Sequence, residues 1–134
     1  MPLTAEVVSA DGIVWVGPAT QVTARTIEGD VGILPRHEPF LAALVPCAAE
    51  IISEDGRREI IAIDGGFISV ADDHVSLLSQ YARLAHEILL PEAEKELAAA
   101  QKLIDDGDLT EETRRHYRRA SAQVKAAEKA AGQS

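Results

Sequence analysis

The sequence predicts an α+β chain: an N-terminal antiparallel β-sandwich followed by a C-terminal antiparallel two-helix hairpin. Two observations carry this. Short alternating segments separated by Asp-Gly and Asp-Asp turns fill the first two thirds of the 134 residues, and after Ala85 the apolar period changes from two to between three and four. Residues 3–9 and 13–16 read as strands joined at Asp11-Gly12, a strong short-range hairpin signal. In 20–27, Thr20, Val22, Ala24 and Thr26 alternate with Gln21, Thr23, Arg25 and Ile27, which suits a half-buried strand. Ala48–Ser53 and Glu59–Ile63 flank Glu54-Asp55-Gly56-Arg57, a second hairpin, and Phe67–Val70 and Val75–Leu78 flank Asp72-Asp73, a third. Turn signals at this density point to a sandwich or barrel.

Pro91 opens a helix at its first turn, after which Ala93, Leu97, Ala100 and Ile104 share one face. Gly107 ends it with a left-handed cap, and Asp108 or Thr110 caps a second helix carrying Tyr117, Ala120, Val124, Ala127 and Ala131 at spacings of three and four. The expected division is a sandwich domain over 1–87 and a helical hairpin over 88–134, with Gly132–Ser134 as a frayed end. The hairpin's contact stripe is rich in alanine, so at ~25 cal/mol per Å² its packing is only modestly stabilising and it can leave its docking site.

Between these elements lies the most specified stretch of the chain, Gly29-Asp30-Val31-Gly32-Ile33-Leu34-Pro35-Arg36-His37-Glu38-Pro39-Phe40-Leu41. Gly29 and Gly32 can adopt positive φ, while Pro35 and Pro39 fix φ and push their predecessors to extended backbone. Such a segment reads as a shaped turn between two strands that presents its corner to a partner.

Composition narrows the function. The formal net charge of −9 argues against a phosphate-backbone binder, so nucleic acid is not an expected partner. The charge is uneven: residues 1–87 hold five basic against thirteen acidic residues, and 88–134 hold eight against nine. Cys47 is the only cysteine, which rules out an intrachain disulfide and a thiolate zinc site and suggests a reducing compartment. The N-terminus reads as neither a secretory signal nor an Arg-rich transit peptide, and no window approaches the length of a membrane span.

The sequence carries no recognisable catalytic or metal-binding motif. His37, His74, His86 and His116 lack ligand spacing, no P-loop follows Gly65-Gly66, and no G-x-S-x-G elbow marks a nucleophile. Asp72-Asp73 is better explained as a solvated turn than as an acid–base pair. The expectation is a non-enzyme with no catalytic residue, cofactor or metal. Trp15, inside an apolar strand run, reads as core.

Three motifs in order add a resemblance. Val14-Trp15-Val16-Gly17-Pro18-Ala19, then Gly29–Leu41, then Gly65-Gly66-Phe67-Ile68-Ser69-Val70 resemble the V-F-S-G-x-A, G-[DE]-x-G-[IL]-L-P-x-H-x-P-L-L and G-G-F-x-x-V patterns of the ε-subunit family of F-type ATP synthases. Trp15, Val16 and Pro18 depart from that pattern, but no turn glycine is lost. The resemblance implies a non-catalytic central-stalk subunit whose sandwich binds γ and rests on the c-ring, coupling ring rotation to ATP synthesis at the α/β subunits. Its place would be peripheral, at the cytoplasmic face of a bacterial plasma membrane, with membrane contact only through the complex. Carried across by motif, Ser9, His37, Phe40 and Leu41 would face γ, and Glu28, Asp30 and Val31 would approach the c-ring. His37 has a compatible structural role in closing its turn.

The second helix carries Arg114, Arg115, Arg118, Arg119, Lys125 and Lys129. One reading is a solvated face answering Glu92, Glu94 and Glu96 of the first helix, each exposed pair contributing at most ~1 kcal/mol. The resemblance implies another, in which Arg114, Arg115, Arg118 and Arg119 face the catalytic β subunits when the helix extends and brake hydrolysis. The family's I-D-x-x-R-A pattern for ATP falls on Ile88-Leu89-Leu90-Pro91-Glu92-Ala93, where Leu89 replaces the acid and Glu92 the arginine, which argues against ATP binding. The rival from another class is a free-standing β-sandwich module with a small-ligand pocket under a helical lid.

Overall fold

A computed structural model describes residues 2–132; Met1 and, with the frayed end expected there, Gln133 and Ser134 lie outside the described residues. Nine strands run in the order β1 (Leu3–Ser9), β2 (Gly12–Thr26), β3 (Gly29–Ile33), β4 (Phe40–Leu44), β5 (Cys47–Ser53), β6 (Arg58–Ile63), β7 (Gly66–Ala71), β8 (His74–Leu78) and β9 (Ala82–Leu84). A 3-10 turn, Ala85–Glu87, leads to helices α1 (Leu90–Asp105) and α2 (Glu111–Ala130).

The three predicted hairpins form where Asp11-Gly12, Asp55-Gly56 and Asp72-Asp73 turn the chain. Asp72 and Asp73 take φ of 51° and 61°, the left-handed pair a two-residue turn needs and that aspartate tolerates. Two expectations change. The segments 13–16 and 20–27 are one fifteen-residue strand, β2, in which Pro18 lies opposite Thr4 and the register shifts between Ala19 and Gln21. Proline is tolerated there because the strand changes partners at that point, and its carbonyl accepts from the Glu54 N–H at 3.0 Å. The stretch 29–41 is not one turn, since Gly29–Ile33 pairs back on β2 with Gly29 opposite Thr26 and Ile33 opposite Val22. Its left-handed residue beyond Gly29 is Arg36, at φ 69°, not Gly32.

The long β2 is shared by two layers. Its first half joins β1, β8, β7 and β4 in a first sheet, where β1 and β8 pair in parallel, and its second half joins β3, β5, β6 and β9 in a second. The core lies between them, led by Leu3, Val22, Ile33, Ile51, Ile61, Ile63, Ile68 and Leu77, with Trp15 packed at its margin.

A second apolar cluster lies on the far side of β5 and β6, under α2. Ile60 and Ala62 meet Ala122, Ala126 and Ala127 there, together with Ala85, Ile88 and Ala93. Six of these eight buried residues are alanine, so the layer is thin, each buried methyl contributing ~0.8 kcal/mol. α1 begins with Pro91 in its first turn and ends with Gly107 at φ 96°. α2 is capped by Thr110, whose Oγ1 accepts from the Thr113 N–H, while Asp108 accepts from the Thr110 N–H and from both threonine hydroxyls.

Candidate functional site

The two sheets differ in what covers them. The outer face of the second sheet lies under α2, whereas the register of the first sheet lines up Ala43, Phe67, Leu78, Val8 and Ile13 on its outer face as one row across five strands. Side chains opposite one another in a ladder share a face. Phe67 is 54 %, Leu78 46 % and Ile13 66 % exposed, far above what their neighbours Ile68 and Leu77 show on the core side. The next row is Leu41, Ser69, Ser76, Glu6 and Val16, with Leu41 72 % exposed. A contiguous apolar strip of this kind marks an interaction surface.

Glu6 is the only acid whose register places it on this face. Its Oε1 accepts from the Ser76 hydroxyl at 2.8 Å and from His74 Nε2 at 3.0 Å. The His74 bond first, then the Ser76 bond, hold the Glu6 carboxyl below its ordinary value of 4.5.

The residues expected to face γ are distributed unevenly about this face. Leu41 stands on it. Ser9 closes the β1–β2 turn at its end, its Oγ accepting from the Asp11 N–H and donating to the Gly12 carbonyl. Phe40 faces the other way and packs against the core, since β4 alternates. His37 lies beyond the start of β4, at the opposite end of the sheet from Ser9. Its Nδ1 donates to the Glu38 carbonyl at 2.7 Å, and its ring meets Phe40 edge-on at 5.9 Å. The Arg36 N–H donates to Asp73 Oδ1 at 2.6 Å, tying this corner to the β7–β8 turn.

Glu28, Asp30 and Val31 occupy the β2–β3 hairpin. Glu28 and Asp30 are exposed at its tip beside the exposed Ile27, and Val31 packs against the core margin. Thr26 holds the turn by accepting from the Glu28 N–H and donating to the Gly29 carbonyl. Asp30 pairs with Arg25 at 3.7 Å, both exposed, a contact of little energy.

The four arginines of α2 divide. Arg114 and Arg115 are exposed, Arg118 pairs with Glu111 at 2.9 Å, and Arg119 reaches Asp64 at 3.5 Å while its guanidinium lies 5.3 Å from the centre of the Tyr81 ring. Asp64 is buried and also accepts from Ser79 and the Tyr81 N–H. Further along α2, Lys125 and Lys129 donate to the Pro46 and Ala48 carbonyls, and Lys129 pairs with Glu50 at 3.3 Å. A cleft of about 670 Å³ beside these lysines has a mixed lining, in which Val31, Pro46 and Ala48 stand beside the charged Arg25, Asp30 and Glu128. Among the described residues no group of three or more His, Cys, Asp or Glu is placed to hold a metal ion, and no helix is long and apolar enough to cross a membrane.

Sequence reasoning missed Val8, Ile13, Phe67 and Leu78 as surface groups. A signal was present: Val7-Val8, Phe67-Ile68 and Leu77-Leu78 are apolar doublets, and a strand with one solvated face cannot hide both members.

Known proteins share this architecture. The family described as "ATP synthase, Delta/Epsilon chain, beta-sandwich domain" matches residues 2–85. The ATP synthase epsilon chain of Cutibacterium acnes is 46 % identical over 112 residues, spanning 83 % of this chain and 77 % of that one. The ATP synthase epsilon chain of Streptomyces avermitilis is 45 % identical over 116 residues, 87 % and 91 % of the two chains. A chain in the Euglena gracilis mitochondrial ATP synthase, solved as OSCP/F1/c-ring, superposes with a TM-score of 0.75 at 26 % identity over 97 % of this chain and 81 % of that one. A chain of the Tetrahymena thermophila mitochondrial ATP synthase central stalk and c-ring shares the fold, with a TM-score of 0.55 at 16 % identity over 97 % and 96 %.

Proposed function

The chain belongs to the ATP synthase delta/epsilon family, and from that premise we propose that it is a non-catalytic subunit of the central stalk. The bare apolar row on the first sheet carries the reading, because a rotor subunit must hold the shaft through an interface stiff enough to transmit torque. Leu41 and the row from Ala43 to Ile13 form that interface with γ, with Ser9 and His37 at its two ends. Phe40 contributes indirectly, by fixing the corner from which His37 projects.

Glu28 and Asp30, at the tip of the β2–β3 hairpin, approach the polar loops of the c-ring, and Val31 supports them from the core margin. The sandwich then couples ring rotation to synthesis at the α/β subunits. Contact with the membrane, at its cytoplasmic face in a bacterium, is through the complex alone. The unit 88–134 is regulatory. Docked, it uses Arg119 on Asp64 and Lys129 on Glu50, and Arg118 on Glu111 within α2. Extended, the first two of these contacts are given up and Arg114, Arg115, Arg118 and Arg119 meet the β subunits and slow hydrolysis. Leu89 and Glu92 occupy the positions where an acid and an arginine would be needed, which argues against ATP as a ligand of this subunit.

The test is a pull-down with recombinant γ, followed by ATPase assay of the reconstituted catalytic complex with the full chain and with residues 88–134 removed. The expected outcome is stable γ binding and faster hydrolysis after truncation. Binding with unchanged hydrolysis would remove the brake from this account, and no binding to the cognate γ would remove the stalk assignment.

A further inference from the structure

The centre of the first-sheet face is not apolar, and that constrains what can cover it. Glu6 stands one row from Phe67 and Leu78, between Ser76 and Val16 in register. Its Oε1 already takes both hydrogen bonds available locally, from His74 and Ser76, and its Oε2 bonds to no other described residue. The two bonds fix the carboxylate in one orientation and favour its ionised form. A purely apolar surface laid over this face would strand a charged oxygen away from water, at a cost that would offset much of the gain from the row.

We propose that Glu6 is the charged key of this face, receiving on Oε2 a Lys or Arg side chain from a partner surface that is otherwise apolar. The inference rests on the assignment of this face to γ, and it specifies the chemistry of the patch on γ that meets it. A second copy of this chain does not fit the role. The register places no Lys or Arg on the face, and its one other charged-type donor, His74, is committed to Glu6. The excess of thirteen acidic over five basic residues in 1–87 also favours a basic partner.

Calorimetric titration of the full chain with purified cognate γ tests this. Glu6→Gln keeps the size and an acceptor for Ser76 but removes the charge, and is expected to raise Kd at least about tenfold with little change in melting temperature. Val16→Lys, at an exposed position directly opposite Glu6, supplies the cation from within and is expected to weaken binding to a similar extent, so it serves if Glu6→Gln does not fold. Phe67→Glu, in the apolar row, reports on the face itself, and Asp55→Asn, at a distant hairpin tip, should bind as the wild type does. Loss with Phe67→Glu but Kd within twofold for both Glu6→Gln and Val16→Lys would overturn the key while leaving the γ assignment standing. Failure of the wild-type chain to bind γ would overturn both.

Discussion

At the scale of single residues, Gly66 shows how one backbone position sets the face. It begins β7 at φ 103°, opposite both Leu44 and the end of β8, and a Cβ built there would come within 2.0 Å of the Leu78 carbonyl oxygen. No side-chain adjustment relieves a clash with backbone. Gly66→Ala is therefore expected to destabilise the chain by at least ~3 kcal/mol, the sum of left-handed strain and displaced strand pairing, measured by urea unfolding. An unfolding midpoint within error of the wild type would show that β7 shifts freely. The second glycine of the Gly65-Gly66 motif thus keeps β7 and β8 close enough to set Phe67 opposite Leu78. The face was legible at this scale only in part. Leu41 emerges from the motif, but Phe40-Leu41-Ala42-Ala43-Leu44 is apolar at every position, so nothing local tells which of Phe40 and Leu41 points outward. Glu6 gives no sign of its role, because its partners His74 and Ser76 are about seventy residues away along the chain.

At the scale of elements, the legible parts were those with local chemistry. Asp-Gly and Asp-Asp turns, Pro91, Gly107 and Thr110 mark boundaries that the backbone itself enforces. The pairing of β1 with β8 and the passage of β2 between the layers are long-range and left no local signal, and Pro18 lies between two segments that read as separate strands but are joined where β2 changes partner. The docking of α2 did leave one. Ile60-Ile61-Ala62-Ile63 is continuously apolar, as a strand buried on both faces must be, with Ile61 and Ile63 in the sandwich core and Ile60 and Ala62 under the helix. Because that layer is thin, ionic contacts weigh more in holding α2 down. The Glu50 carboxyl lies below its ordinary 4.5, first through the hydrogen bond from Arg58 and further through Lys129. A carboxyl depressed in the folded state stabilises that state above its unfolded value, and this contribution is lost as pH falls through the folded value. Amide exchange in the C-terminal half of α2 is thus expected to accelerate as pH falls below about 4.5, after correction for intrinsic rates, and Glu50→Gln should show the faster exchange already at neutral pH. Equal protection in the two proteins at neutral pH would remove Lys129–Glu50 as a fastening.

At the scale of the whole molecule, the sandwich has two apolar outer faces and the chain covers one of them itself. The face with Ile60 and Ala62 is closed by α2, and on the other face Phe67 and Leu78 stay exposed. Removing 88–134 therefore does more than delete arginines, since it opens a second apolar surface on β5 and β6, next to the free outer edge of β9. The fragment 1–87 is expected to self-associate at concentrations where the full chain does not, read by sedimentation velocity as a shift to larger species. Because the new surface is responsible, Ile60→Thr with Ala62→Ser in the fragment should restore the sedimentation of the monomer, while polar substitution of Phe67 alone should not. If the fragment stays monomeric at every concentration the full chain tolerates, α2 is not acting as a cover, and its position on the sheet reflects the ionic contacts alone. The same pair of substitutions is what a truncated chain needs before any change in ATP hydrolysis can be ascribed to the missing helices, because self-association of the fragment would alter the assay by itself.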